Sequence, residues 1–354
     1  MKNEQIIVNI LNFLKTHIKQ IKVLGILIAV IIFITLSITI MIKESEKQKY
    51  VAYNGKNINE KKYPGYKEQI DKLKEEHPNW TFTLFYTKLE WNDVIANEGH
   101  KDNVKYPLNL IPDSSKYPDD WKCEIDKDKT FDNGTWLCAS DKAIKYEMDP
   151  RNILNNDEIF QFLELKYTDG AQTEDGIKTI TKDTFLSGDK TAKTLIEAGE
   201  KAGVDPYFIT ARLIQEQGKR GTVLSQGYEY EETTVYNPFN IKASGNSQSA
   251  IIENAAKYAY EQGWDTLEKG LLGGVEFVKE GYINKGQNTL YLQKFDVVKQ
   301  DGKLYTNQYM QNLLASTSEA YNMRKIYDNS NSTETKLNFI IPLYEKMPEK
   351  AAER

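Results

Sequence analysis

Cysteine and histidine are the scarcest reactive residues in this chain of 354: two Cys, at 123 and 138, and three His, at 17, 77 and 100. None of the histidines has a partner at ligand spacing, so little material exists for a zinc centre or a histidine-based triad. A phosphate loop is missing too. Lys269-Gly270-Leu271-Leu272-Gly273-Gly274 is rich in glycine but lacks the Gly-Lys-Ser/Thr ending, and close helix packing or a turn is the expected use. No metal or organic cofactor is expected. There is no basic surplus either: 46 Lys+Arg against 51 Asp+Glu leave a net charge of −5, which argues against a nucleic-acid partner. Internal repeats, heptad runs and low-complexity tracts are absent, which removes solenoids and coiled coils. What remains is 40% apolar and 27% charged with both signs, enough to build a core. At roughly 100–200 residues per domain, one large or two smaller domains fit. The 22 Tyr and 5 Trp supply flat faces suited to sugars, peptides or bases.

One apolar run stands out. Val23 to Ile42 (VLGILIAVIIFITLSITIMI) carries no charge and, at about 1.5 Å per helical residue, spans a hydrocarbon core of roughly 30 Å. A cleaved signal peptide is the competing reading. The run is longer than the usual h-region, its preceding segment is long, and no small-x-small site follows Ile42, so a retained anchor is expected. No cysteine lies near it, which excludes a lipoprotein. Lys2, Lys15, Lys19 and Lys22 precede the run and Lys43, Lys47 and Lys49 follow it, so charge hardly orients it. Cys123 and Cys138 orient it better. A solitary pair flanked by Trp121 and Trp136 reads as a staple closed in an oxidising compartment, with two buried free thiols as the alternative. The expectation is a single-pass protein of the cell membrane, residues 1–22 cytoplasmic, 23–42 spanning, and the rest on the extracytoplasmic face.

Residues 43–62 are polar and read as a tether. A folded region of 63–145 follows, mixed α/β. Tyr66, Ile70 and Leu73 fall at helical spacing, Thr81–Lys88 (TFTLFYTK) has strand composition, and Leu89–Glu98 returns to a helical pattern. Residues 99–140, with three prolines and the cysteine pair, read as a loop or hairpin region. A change of composition near Asp149-Pro150 opens a helix-rich stretch, 146–328, and 329–354 reads as a mixed, charged tail with a frayed Ala-Ala-Glu-Arg end.

The most informative helix is predicted over Asp205–Gly218 (DPYFITARLIQEQG). Asp205 suits the N-cap, Pro206 the first helical position, and Gly218 a left-handed end. Ile209, Leu213 and Glu216 lie at i, i+4 and i+7, which puts a carboxylate on the apolar stripe, in the last turn where the helix dipole disfavours an anion. Partial burial and that dipole both favour the protonated form, as a general acid requires. A glutamate that snorkels to solvent is the alternative. Gly227–Lys242 (GYEYEETTVYNPFNIK) interleaves aromatics with carboxylates and amides, as a pyranose site does, or as a surface hairpin with locally packed tyrosines does. Gly281–Phe295 (GYINKGQNTLYLQKF) is dense in amides and aromatics and fits either the same groove or a buried turn.

The succession Gln215-Glu216-Gln217-Gly218, then Tyr236-Asn237-Pro238-Phe239-Asn240-Ile241-Lys242, resembles glycoside hydrolase family 73, the peptidoglycan β-N-acetylglucosaminidases. Their usual pattern is a helix with Glu-Ser-Gly followed by Asn-Leu-Phe-Gly-Ile-Lys, so Gln217 stands for the serine and Asn240 for the glycine. The stretches from Gly263 to Gly274, Gly286 to Tyr291 and Gln308-Tyr309-Met310 resemble a clostridial-type, membrane-anchored branch. The resemblance implies an α+β, mainly α, lysozyme-like domain over 146–328 with 63–145 as a companion region. It implies cleavage of the β-1,4 bond between N-acetylglucosamine and N-acetylmuramic acid, with Glu216 protonating the leaving oxygen. Glu231 and Glu232 are candidates for a base that activates water; alternatively the substrate's N-acetyl oxygen attacks and Tyr236 or Asn240 orients it. Tyr228, Tyr236, Phe239, Asn240, Gln287, Asn288 and Tyr291 are the substrate-binding candidates. Peptidoglycan strands and the membrane are the expected partners, with an unidentified membrane-protein regulator conceivable for a wall hydrolase. A lytic transglycosylase and a non-catalytic wall-binding or scaffold protein are the competing functions.

Overall fold

Thr81–Glu90 and Asn338–Glu345 lie far apart in the chain, yet both are runs of β-branched, aromatic and aliphatic residues, and they pair in parallel from Thr81↔Asn338 to Tyr86↔Leu343. The structure is a computed structural model that describes residues 3–17, 22, 32–35, 47–99, 107–123, 129–131, 134–300 and 302–354. It divides into two units, Met1–Lys47 and Gln48–Arg354. In the first, residues 3–17 form helix α1, whose Ile6, Ile10, Leu11 and Phe13 are exposed. Apart from 32–35, the predicted span 23–42 lies outside the described residues, and no described helix is long and apolar enough to cross a membrane.

The second unit starts with strand β1 (Lys49–Ala52), helix α2 (Lys67–Glu76), strand β2 (Thr81–Glu90) and helix α3 (Trp91–Glu98). Strands β3 (Leu110–Pro112), β4 (Thr130–Phe131) and β5 (Trp136–Cys138) make a small sheet in the order β3-β5-β4, and the Cys123–Cys138 disulfide closes beside it with a Cα–Cα distance of 5.4 Å. Helices α4 (Asp141–Met148), α5 (Pro150–Ile153), α6 (Glu174–Thr181), α7 (Asp189–Ala202), α8 (Pro206–Gln217) and α9 (Val223–Gln226) follow. A hairpin of β6 (Tyr228–Tyr230) and β7 (Thr233–Val235) leads to α10 (Gln248–Glu261), α11 (Leu267–Gly281), α12 (Leu290–Phe295), α13 (Ala315–Asn329) and strand β8 (Asn338–Glu345). The fold is α+β and mainly helical, as expected.

Three boundaries differ from the sequence reading. The reading of 43–62 as a tether does not hold from residue 49 on: β1 pairs antiparallel with β2, and Tyr53 and Ile58 are buried. The reading of 329–354 as a tail does not hold. β8 is a buried strand beside β2 in a sheet ordered β1-β2-β8, because Phe339 to Tyr344 is an apolar run that only a covered strand satisfies. Nor is the very end frayed. The buried Arg151 guanidinium, paired with Asp149 at 2.7 Å, donates to the carbonyls of Pro348, Glu349 and Lys350, and Ala352 N donates to Asp149. Finally, 63–145 and 146–328 are not separate cores. Trp80, Phe160, Tyr327 and Phe339 meet ring to ring, joining the early region, the helices and β8 in one cluster. A smaller cluster of Leu224, Val235, Ile241, Ala255, Ala259 and Trp264 forms a lobe from α9, the hairpin and α10.

Candidate active site

Helix α8 begins as its sequence dictates. The Asp205 carboxylate accepts from the Tyr207 and Phe208 amides at 2.7 and 3.3 Å, and Pro206 occupies the first turn. Tyr327 donates to the other Asp205 oxygen at 2.8 Å, and burial pushes this carboxyl up to about 6 against the pull of those three donors. The helix ends at Gly218 with φ 69° and ψ 169°, a positive φ but not the left-handed helical conformation expected.

Ile209 and Leu213 are buried, but Glu216 is exposed, so the expected half-burial of this carboxylate is not found. The reason is geometric. The last turn of α8 runs past the core to the edge of a pocket of about 210 Å³, and the side chain faces that pocket. Arg212 and Glu216 line it from α8, Pro238, Phe239 and Ile241 from the segment after β7, Phe277 and Tyr282 from α11 and its end, and Tyr309 from the loop before α13. Among the described residues lining it, Glu216 is the sole carboxylate.

The Tyr309 hydroxyl donates to Glu216 Oε1. Burial first, and then the neighbouring Glu319 and Glu216, hold this hydroxyl far above the ordinary phenol range against the pull of Arg212, so it keeps its proton and can donate it to a hydrogen bond. Its ring lies 3.8 Å from the Arg212 guanidinium carbon, which also stacks on Phe208 at 4.3 Å. Arg212 is buried, bonded to Gln293 at 2.7 Å and to Glu319 at 2.8 Å, so the cation that supports Tyr309 is itself paired. Tyr282 meets Tyr309 edge-on at 6.0 Å. Phe277, 46% exposed, presents an open flat face at the rim.

The opposite wall depends on Asn237, which is fully buried. Its amide donates to the carbonyls of Ile241 and Ala255, both at 2.9 Å, and its oxygen accepts from Ile241 N at 3.0 Å. This tight loop forces Asn240 to φ 51°. Asparagine tolerates that left-handed conformation, which explains why it can replace the glycine of the resembled motif. Helix α11 lets the loop approach because it presents glycines. A Cβ on Gly270 would lie 2.6 Å from Tyr236 O, and one on Gly274 would lie 1.8 Å from the Phe239 ring. The glycine-rich stretch 269–274 is therefore used for close packing, as its sequence suggested. Gln217, in the serine position, is buried and accepts from Thr222 Oγ1 at 2.6 Å, tying the end of α8 to α9.

Of the other candidates, Phe239 lines the pocket. Glu231 and Glu232 form the two-residue turn of the β6–β7 hairpin, with φ 49° and 62°, exposed and outside the pocket lining. Tyr228 and Tyr236 are half-buried, Tyr228 against the small lobe, and neither they nor Asn240 line the pocket. Gln287 is fully buried, bonded to the carbonyls of Leu292 and Asn307, and Asn288 accepts from Leu165 N through its backbone. Tyr291 is also fully buried, its hydroxyl donating to Met148 O at 2.7 Å. These three belong to a packed turn and the start of α12, close to the buried-turn alternative the sequence left open, and none lines the pocket. Arg212, Phe277, Tyr282 and Tyr309 carry no role in the sequence reading. Tyr282 lies in the Gly281–Phe295 stretch read as fitting the groove, and Tyr309 in the Gln308-Tyr309-Met310 stretch of the resemblance, but neither was singled out.

No protein-family model matches the chain. It is 30% identical over 194 residues to a β-N-acetylglucosaminidase of Bacillus subtilis (strain 168), a match covering 53% of this chain and 21% of that protein. It is 24% identical over 266 residues to a bifunctional autolysin of Staphylococcus aureus (strain MRSA252), covering 69% of this chain and 19% of the relative. The chain thus spans about a fifth of the length of the curated relatives it matches. Among solved structures, S. aureus glucosaminidase B superposes with a TM-score of 0.56 at 22% identity, covering 75% of this chain and 93% of the other. The major bifunctional autolysin gives 0.53 at 22% identity, covering 75% and 98%. Three quarters of this chain therefore shares its fold with these two solved structures.

Proposed function

We infer that the chain is a peptidoglycan β-N-acetylglucosaminidase that cleaves the β-1,4 bond between N-acetylglucosamine and N-acetylmuramic acid, with Glu216 as general acid. The observation that carries this reading is a single carboxylate at a pocket edge, held by a tyrosine donor and faced by aromatic walls. Rings of Phe239, Phe277 and Tyr282 suit the apolar faces of pyranoses, while Glu216 reaches the bridging oxygen. The names and titles of the relatives, glucosaminidases and autolysins, support the same reading.

With no second carboxylate among the described residues lining the pocket, the substrate-assisted route is the better supported of the two considered. Glu216 protonates the glycosidic oxygen as the C–O bond breaks. The acetamido oxygen of the same N-acetylglucosamine attacks the anomeric carbon, and water then opens the resulting oxazolinium ring, returning a proton to Glu216. Glu231 and Glu232 could serve as a base only if the hairpin tip moved to the pocket.

We infer further that the enzyme works on the extracytoplasmic face, held by the apolar run 23–42. That run and the Cys123–Cys138 disulfide support this placement. Loss of the protein from the membrane fraction on deletion of residues 1–42 checks it, and unchanged partition refutes it.

The test of the chemistry is digestion of purified glycan strands by residues 48–354, with the new ends identified by mass spectrometry. Reducing N-acetylglucosamine ends that disappear with Glu216→Gln are expected. Anhydro-muramyl ends would select the transglycosylase reading, and sedimentation with wall material without turnover would select a binding protein.

A further inference from the structure

Among the described residues, segment 308–312 ties the companion region 63–145 to the site. Every residue of that segment is held from outside. Gln308 donates through its amide to both oxygens of Glu98, at 2.8 and 2.7 Å. Tyr309 N donates to Gln293 O at 2.8 Å, and Met310 O accepts from Lys294 Nζ at 3.1 Å. Gln311 accepts from Leu110 N at 2.8 Å and donates through its side chain to Pro107 O at 2.7 Å, while Asn312 bridges to Leu110.

Glu98 and Lys294 are both almost fully buried, on α3 and α12, and Asn109 stands between them. Its amide donates to Glu98 Oε2 at 2.8 Å and its oxygen accepts from Lys294 Nζ at 2.6 Å. Burial pushes the Glu98 carboxyl up and the Lys294 ammonium down, and each is drawn back by the charge of the other. Two buried charges joined by one amide are costly to separate and strict in geometry, since removing either leaves the other buried and unpaired. They sit in none of the pocket walls, so the function proposed above does not use them.

We propose that the buried Glu98, Asn109 and Lys294, with Gln308, form a clamp that positions the Tyr309 hydroxyl against Glu216, so that the region before residue 145 completes the active site instead of serving as a separate module. These are positioning residues: Glu98 and Lys294 bond the Tyr309 segment at Gln308 and Met310, Asn109 links the two, and none lines the pocket. The clamp rests on the reading of Glu216 as the acid only for its catalytic consequence; its structural consequence is independent of it.

Both consequences are measurable. Gln308 is half-exposed, so Gln308→Ala keeps the buried charges and the fold, whereas Glu98→Ala strands Lys294 and serves as the severe variant. On glycan strands, Gln308→Ala is expected to lower kcat about tenfold with KM changed less than about threefold, and to have less than about a twofold effect when Tyr309 is already Phe, because coupled residues are non-additive. In parallel, 3-fluorotyrosine placed at position 309 is followed by fluorine NMR. Its resonance is expected to shift toward the free amino acid with Gln308→Ala, and to shift also with Glu216→Gln. If the parent cuts no glycan, the functional reading fails while the fluorine signal still tests the clamp. A Gln308→Ala protein with parental resonance, or with its full kcat loss preserved in the Tyr309→Phe background, overturns the proposal.

Discussion

Replacing Tyr309 by Phe removes one atom from the proposed acid's surroundings and little else. The ring keeps its place, because the Arg212 guanidinium 3.8 Å from its centroid and the edge contact with Tyr282 need no hydroxyl. What goes is the donor to Glu216 Oε1. While Glu216 holds its proton, that donor meets a neutral carboxyl. As the proton passes to the glycosidic oxygen, negative charge develops on Glu216 and the bond becomes charge-assisted. Hydrogen bonds to charged groups contribute about 1.5–3 kcal/mol, so kcat should fall about 10- to 150-fold. KM should stay within about twofold, because the hydroxyl addresses the acid and not the sugar. The assay is reducing-end release from purified glycan strands at saturating and limiting substrate, with urea unfolding to verify an intact fold. Full kcat in the variant, or a rise in KM with kcat unchanged, would refute the assignment of Tyr309 as the partner of the acid.

Two further substitutions test the walls and the core. Gly274→Ala places a Cβ where the Phe239 ring now lies, 1.8 Å away, so the ring must leave the pocket wall; KM for glycan should rise at least several-fold, and an unchanged KM would show that Phe239 does not contact sugar. Glu147 is buried with one side-chain donor, Thr317 at 3.0 Å, and burial raises its carboxyl from 4.5 to about 7. The folded state therefore holds more protons than the unfolded chain between those values, and stability falls as pH rises through that window. Above about 7 the full penalty of about 3 kcal/mol is present. Glu147→Gln should stabilise the protein by up to that amount at pH 8 and by little near pH 4.5, read from urea midpoints; a gain equal at both pH values would contradict the buried-charge origin.

What could be read from the sequence follows the range of the interactions involved. Helix α8 was legible because its signals are local: an N-cap at Asp205, a proline at the first position and a glycine after the last. The tight loop at 236–242 was legible as a motif, although its reason, a buried Asn237 bonded to the loop's own backbone, was not. Glu216 was placed on the right helix but on the wrong side of the burial boundary. Helical periodicity assigns a residue to a face of its own helix, and cannot say where that helix outruns the core. Amide-and-aromatic density misled at Gln287 and Tyr291 for a related reason. The same side chains that hold a sugar's hydroxyls also hold the carbonyls of a buried turn, and composition does not distinguish the two.

The larger errors concern partners hundreds of residues away. β8 shows strand composition in isolation, yet its place depends on β2, and an apolar run of eight residues near a chain end gives no register to a strand 257 positions earlier. The same holds for Glu98 and Gln308. A glutamate ending a helix and a glutamine in a loop are unremarkable residues, and only the fold reveals that their bond joins the region before the helices to the tyrosine at the acid. That asymmetry explains why the proposed acid could be assigned its role from a short motif, while Tyr309, although within a stretch of the resemblance, could not be assigned as its donor. An acid must lie on a defined element near a helix end, whereas its donor can arrive from any loop that the core delivers within reach. A search for the second catalytic group by sequence proximity, at Glu231 and Glu232, inherits the same fault. The hairpin is near Glu216 in the chain, but its tip is set by a two-residue turn outside the pocket lining, while Tyr309, 93 residues on, bonds the acid directly.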